Sequence, residues 1–160
     1  MMKKVFLYFF ILTLLSGAVF AAEYRVVDGD SLESGERRIR LDGIDAPEFV
    51  QNCYDATDAS YPCGLEALKY LENLIQDSEV QCDCLPEPDI YGREMCECFA
   101  DDVSLNRAMV FGGYAVTYRS DRYAAAEQNA KEAKRGIWQG RFMRPALFRA
   151  LERIKTNPAE

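Results

Sequence analysis

The 160-residue chain contains no histidine. The side chain that titrates nearest neutrality is missing, so acid–base work falls to carboxylates, arginine, tyrosine or metal-activated water. Basic charge is also scarce: 19 Lys and Arg stand against 26 Asp and Glu, a net charge of −7. That balance excludes a molecule-wide basic footprint, so any nucleic-acid partner must be held by a local site with most acids facing elsewhere. Long apolar runs are missing too. The stretch from Val5 to Leu15 falls short of the roughly 20 residues that a membrane span needs. No internal repeat and no low-complexity segment is visible.

What the first 21 residues do contain has the layout of an export signal. Lys3 and Lys4 form a basic start, the apolar stretch follows, and Ser16-Gly17-Ala18-Val19-Phe20-Ala21 offers small residues for cleavage after Ala21. No cysteine sits at that point, which argues against a lipid-anchored product. The expectation is an exported protein, periplasmic or secreted, with no stable membrane association once processed. The remaining 139 residues suffice for one compact domain with a single core, expected as a monomer. Lys3 and Lys4 leave with the signal, which takes the net charge from −7 to −9.

All six cysteines, Cys53, Cys63, Cys82, Cys84, Cys96 and Cys98, lie beyond the signal. An even count behind an export signal reads as disulfides. A zinc cluster is the weaker reading, because Cys-x-Cys is shorter than the usual ligand spacer and no imidazole is present to help.

The pattern predicts strands over Tyr24–Val27 and Ser31–Leu41, with turns at Asp28-Gly29 and Ser34-Gly35. Residues 45–62 read as a long polar connection. Leu65, Leu68, Leu71, Leu74 and Ile75 recur at helical spacing across 64–77. Two strands, 80–85 and 94–100, flank a proline-rich loop, and helices are expected over 104–111 and 123–135. Strands first and helices after suggest an α+β domain. Alternate strand residues share a face, so an antiparallel pair in matching register would set Cys82 opposite Cys98 and Cys84 opposite Cys96. Cys53 would then close a loop with Cys63, although six cysteines allow fifteen connectivities.

Chemistry concentrates in three segments: Asp28-Gly29-Asp30-Ser31, then Arg40-Leu41-Asp42-Gly43-Ile44-Asp45-Ala46-Pro47-Glu48, then Tyr91-Gly92-Arg93. Acids able to hold a hard cation, a further acid and two arginines are the parts needed to cleave a phosphodiester. Each piece alone has a plainer reading. Asp-Gly-Asp is a solvated turn, Arg40 a strand-end partner for Asp42, Arg93 a turn cation and Glu48 a surface acid.

Together with Gly113-Tyr114-Ala115-Val116-Thr117-Tyr118 and Gly136-Ile137-Trp138, these segments resemble the staphylococcal nuclease (thermonuclease) family over roughly residues 24–140. The cysteines and the tail from Gly140 to Arg149 are similar to secreted bacterial members with extra disulfides. The resemblance implies a five-stranded OB-fold barrel with three α-helices and hydrolysis of DNA and/or RNA dependent on one Ca2+ ion, other divalent cations being possible. Asp30, Asp45 and the Ala46 carbonyl then match the metal ligands, and Asp28 supports them. Glu48 matches the base that takes a proton from a calcium-activated water, while Arg40 and Arg93 match the arginines that clamp phosphate. Tyr91 and Tyr118 match tyrosines lining the nucleotide pocket. The family usually has threonine at Ala46, lysine at Ile90 and a second tyrosine at Ser120, so a hydroxyl contact to the metal shell is lost and two substrate contacts differ here. The implied organisation is a signal (1–21), a nuclease domain (22–140) and a basic C-terminal extension (141–160) that carries Arg141, Arg144, Arg149 and Arg153. The competing expectation is a non-catalytic OB module that binds nucleic acid or protein.

Overall fold

The structure is a computed structural model and describes residues 23–156. The expected export signal lies outside the described residues. In chain order the strands and helices are β1 (Arg25–Asp28), β2 (Ser31–Ser34), β3 (Arg37–Leu41), β4 (Ile44–Asp45), β5 (Cys53–Tyr54), β6 (Ser60–Tyr61) and α1 (Cys63–Ile75). These are followed by β7 (Val80–Cys84), β8 (Glu94–Ala100), β9 (Val103–Ser104), α2 (Leu105–Phe111), β10 (Val116–Thr117) and α3 (Ala124–Glu132). A 3-10 turn at Gly136–Gln139 leads to α4 (Pro145–Thr156).

The main sheet runs β1-β2-β3-β8-β7, with β9 added beside β8. β1, β2 and β3 form an antiparallel meander, and β3 lies parallel to β8, Ile39 facing Glu94 and Leu41 facing Cys96. A parallel neighbour cannot be reached by a hairpin, so the chain crosses over through α1 and β7 before returning as β8. The sheet curls into a half-barrel and has the expected α+β, OB-like class and five-strand path. Leu32, Ile39, Leu41 and Ile44 are fully buried inside it, closed over by Ala67 and Leu71 of α1 and by Leu105 and Met109 of α2. Each such aliphatic side chain contributes about 1.5–3 kcal/mol on burial.

Three differences from expectation bear on function. The connection over residues 45–62 is not featureless: β5 and β6 make a small hairpin, held to the start of α1 by the Cys53–Cys63 disulfide. Two-residue strands carry no readable alternation, so the pattern passed over them. The basic extension contains a fourth helix, α4, beyond the three that the resemblance implied. Arg40 pairs with Asp30 and Asp45 rather than Asp42.

The cysteines pair as their strand register dictates. Cys82 faces Cys98 and Cys84 faces Cys96 across β7 and β8, with Cα separations of 4.1 and 4.0 Å, and both pairs are disulfides. Cys84, Glu94 and Cys96 lie close enough to resemble a metal cluster, but both sulfurs are spent in one disulfide and Glu94 is held by Arg37.

Candidate active site

Asp30 sits in the turn between β1 and β2, where its backbone N–H donates to Asp28 Oδ1 at 3.0 Å. Gly29 beside it is packed so closely that a Cβ there would lie 2.7 Å from the Ala46 Cβ and 2.8 Å from that of Ala67. The turn is thereby pressed against α1, and the Asp30 carboxylate faces inward. Its Oδ2 accepts from the Ala46 N–H at 2.8 Å, and its Oδ1 accepts from Ser31 Oγ at 3.1 Å and from Arg40. Arg40, on β3, extends the other arm of its fork to Asp45 Oδ1 at 2.8 Å. β4 delivers Asp45 by pairing with β10, Asp45 facing Val116.

Two acids and an arginine are therefore almost completely buried together: Asp30 is 3% exposed, Asp45 1% and Arg40 8%. Burial pushes the Asp30 carboxyl up to about 7, against the opposing pull of Arg40. Charges kept at such cost call for a compensating partner. Counting Asp28 and Glu48, four acids gather around Arg40 and the incoming Arg149, which leaves a formal charge of −2, the amount that one divalent cation would balance. The donors are hard carboxylate oxygens, the kind that calcium and magnesium select, so these residues fit such a cation.

Glu48 follows Pro47 in a loop that lies directly over the start of α1. A Cβ on Gly64 would overlap the Glu48 carbonyl, so only glycine allows this approach. The fully buried Gln51 locks the loop, its Oε1 accepting from the Glu48 N–H at 3.3 Å and its Nε2 donating to the Met143 carbonyl at 2.7 Å. One glutamine thus ties the Glu48 loop to the segment leading into α4, a link that sequence pattern did not reveal.

Arg93 is placed by a different device. The Asp89 carboxylate accepts from the backbone N–H groups of Tyr91 and Arg93, both at 2.9 Å, and from the Arg93 side chain at 2.7 and 2.9 Å. The Arg93 guanidinium also lies over the Tyr91 ring. Tyr118 follows β10, its N–H donating to the Gly43 carbonyl at 2.9 Å. The buried Glu127 of α3 holds this strand by accepting from the Thr117 N–H at 2.6 Å and from the Thr117 hydroxyl.

Asp28, Arg40, Glu48, Tyr91, Arg93 and Tyr118 all line one groove of about 750 Å³. Asp30 joins Arg40 beneath its floor with Asp45, and Ala46 is held there through its N–H. Arg93 stands apart from the carboxylates of that cluster, bound to Asp89. Ile90, where the resemblance implied lysine, is 91% exposed at the groove's edge. Trp138 docks the tail, meeting Phe142 edge-on at a centroid distance of 4.9 Å.

A further wall comes from α4. Arg149 donates through Nη1 to Asp45 Oδ1 at 2.9 Å and Glu48 Oε1 at 2.7 Å, and through Nη2 to Asp45 Oδ2 at 3.1 Å. Its place in a basic helix face was readable in the sequence, but its two partners were not.

The chain matches the family model described as "Staphylococcal nuclease homologue" over residues 38–140. It is similar to "Succinoglycan biosynthesis protein ExoI" of Rhizobium meliloti (strain 1021), 38% identical over 71% of this chain and 62% of that protein. It is also similar to "Probable endonuclease lcl3" of Pyrenophora tritici-repentis, 31% identical over 76% of this chain and 47% of the relative. "Probable staphylococcal-like nuclease CAN1" of Oryza sativa subsp. japonica is 30% identical over 73% and 34%. The chain thus spans less than two thirds of the length of each of these relatives.

Proposed function

We propose that this chain, which belongs to the family of staphylococcal nuclease homologues, is an exported hydrolase that cleaves phosphodiester bonds of DNA and/or RNA with the help of a divalent cation, calcium by preference. The observation that carries the reading is the buried Asp30–Arg40–Asp45 cluster opening onto a groove that also presents Glu48 and Arg93. A non-catalytic module has no need to bury two carboxylates and a guanidinium side by side, because their desolvation costs several kcal/mol per ion.

In this reading Asp30, Asp45 and the Ala46 carbonyl hold the cation, with Asp28 supporting the turn. The cation supplies positive charge that polarises the phosphoryl group and makes water more acidic. Glu48, fixed by Gln51 at the groove wall, accepts the proton of the attacking water. Arg40 and Arg93 both face the groove, and the planar fork of each is suited to two phosphoryl oxygens as charge builds in the transition state. Tyr91 and Tyr118 offer ring faces and hydroxyls to the nucleotide. We assign residues 1–21 to the export signal, 22–140 to the nuclease domain and 141–160 to a basic extension, and take the working form to be a monomer. The three disulfides, together with the lack of any helix among the described residues long and apolar enough to cross a membrane, are compatible with this assignment.

The test is cleavage of linear and circular DNA and of RNA by protein starting at Ala22. Cutting of both DNA forms in calcium, abolished by EDTA and reduced by orders of magnitude in Glu48→Gln, is the expected outcome. Folded, oxidised protein that cuts neither nucleic acid with any divalent cation would replace the enzyme with a binding module.

A further inference from the structure

We infer that α4 is a working wall of the groove and that Arg149 exchanges partners there, releasing Asp45 to the cation and taking a phosphate of the bound nucleic acid in its place. The inference rests on the nuclease reading and extends it beyond residue 140, where the family match ends.

Competition is the first consideration. Arg149 touches both oxygens of Asp45 and one of Glu48. A cation ligated by Asp45 needs at least one of those oxygens, so cation and guanidinium cannot both keep their full complement. The proposed base is also engaged by the same Nη1, so its Oε1 has no room for a water until the contact loosens. Whatever draws Arg149 aside therefore frees a ligand and the base together.

The pull comes from charge. Four acids line the groove, Asp28, Asp42, Glu48 and Asp89, and Asp30 and Asp45 lie beneath it. Five arginines oppose them, and two of these, Arg149 and Arg153, come from α4. With a divalent cation in place, six acids and five arginines leave a balance of +1; without the two α4 arginines it is −1. In this acidic protein, α4 turns the groove from repelling a polyanion to attracting one. It also replaces the phosphate contact that Ile90 cannot make. A phosphodiester entering over the cation brings the anion that Arg149 needs once Asp45 turns to the metal, and its fork grips phosphate as readily as carboxylate.

The experiment compares wild type with Arg149→Ala, Arg149→Lys and Lys155→Ala, all checked for folding by thermal melt. Two binding constants are read: calcium by calorimetry, and a phosphorothioate-linked single strand, which resists cleavage, by anisotropy in calcium. For Arg149→Ala, calcium should bind several-fold more tightly and the oligonucleotide about tenfold more weakly, the size of one lost charged hydrogen bond. Arg149→Lys should fall between, since an ammonium cannot span both Asp45 oxygens. Lys155, which pairs with Glu152 on the same helix, should change neither constant. Unchanged calcium affinity, or oligonucleotide binding unchanged or tighter, would overturn the inference, the latter leaving α4 as a simple plug. Cleavage is measured separately, so a wild type that binds as described but cuts nothing would sink the nuclease reading and leave these two constants standing.

Discussion

At the scale of single residues, a buried charge is kept by the donors gathered around it, and Glu127 shows how. It is nearly buried, yet the donors around it, Lys131 and the Thr117 hydroxyl and N–H, outweigh the cost of burial and hold its carboxyl below the usual range. A depressed carboxyl stabilises the fold above its unfolded pKa of about 4.3, and the gain is lost as pH falls through the lower folded value. Glu127→Gln should therefore melt below wild type near neutrality, with the gap closing at about pH 4 and under, as read by thermal melts across pH. A gap independent of pH would mean that shape, not charge, matters at this position. Asp30, Arg40, Asp45 and Glu48 were legible as candidates in the sequence because they lie within 19 residues of one another, the first two in segments that meet through neighbouring strands. Arg149 reaches Asp45 across 104 residues, and a basic helix face names no partner. Gln51 was silent for a similar reason, since its meaning lies in the Met143 carbonyl.

Among the elements, the β7–β8 ladder was the most readable. Strand period 2 fixes which cysteines share a face, and antiparallel register then fixes which ones meet. The seat of α4 was unreadable because it depends on close backbone contact. The stretch after the 3-10 turn pairs with β5, Tyr54 and Arg141 exchanging backbone hydrogen bonds at 2.8 and 2.9 Å. Gly140 makes that approach possible, since a Cβ there would collide with the Tyr54 carbonyl oxygen and lie 2.5 Å from the Asp55 carbonyl carbon. Gly140→Ala should thus lift the tail and carry Arg149 and Arg153 away from the groove, while the groove side chains borne by the strands stay in place. Hydrogen exchange in α4 should rise about tenfold or more, with β2, β3 and β8 unaffected. Exchange unchanged in α4 would mean that the helix is held by its own contacts and not by this pairing.

For the molecule as a whole, acidity and the proposed phosphate chemistry are reconciled by confinement. The basic charge offered to the proposed substrate is a handful of arginines around one groove, while the chain carries a surplus of acids. Few phosphates are then neutralised on binding. With Arg40, Arg93, Arg149 and Arg153 each meeting one, the logarithm of single-strand affinity should fall against the logarithm of salt with a slope of about −3. A slope near −8 would require a wider basic surface than the groove provides. The position of α4 also gives the fold a history. Domains are made from the N-terminus, and the acids around Asp30 and Asp45 emerge long before Arg149 can reach them. The nascent chain therefore carries a groove that repels polyanions until its last described helix is made and seated. The groove thus becomes an attractive surface for anions only at the last step of its own assembly.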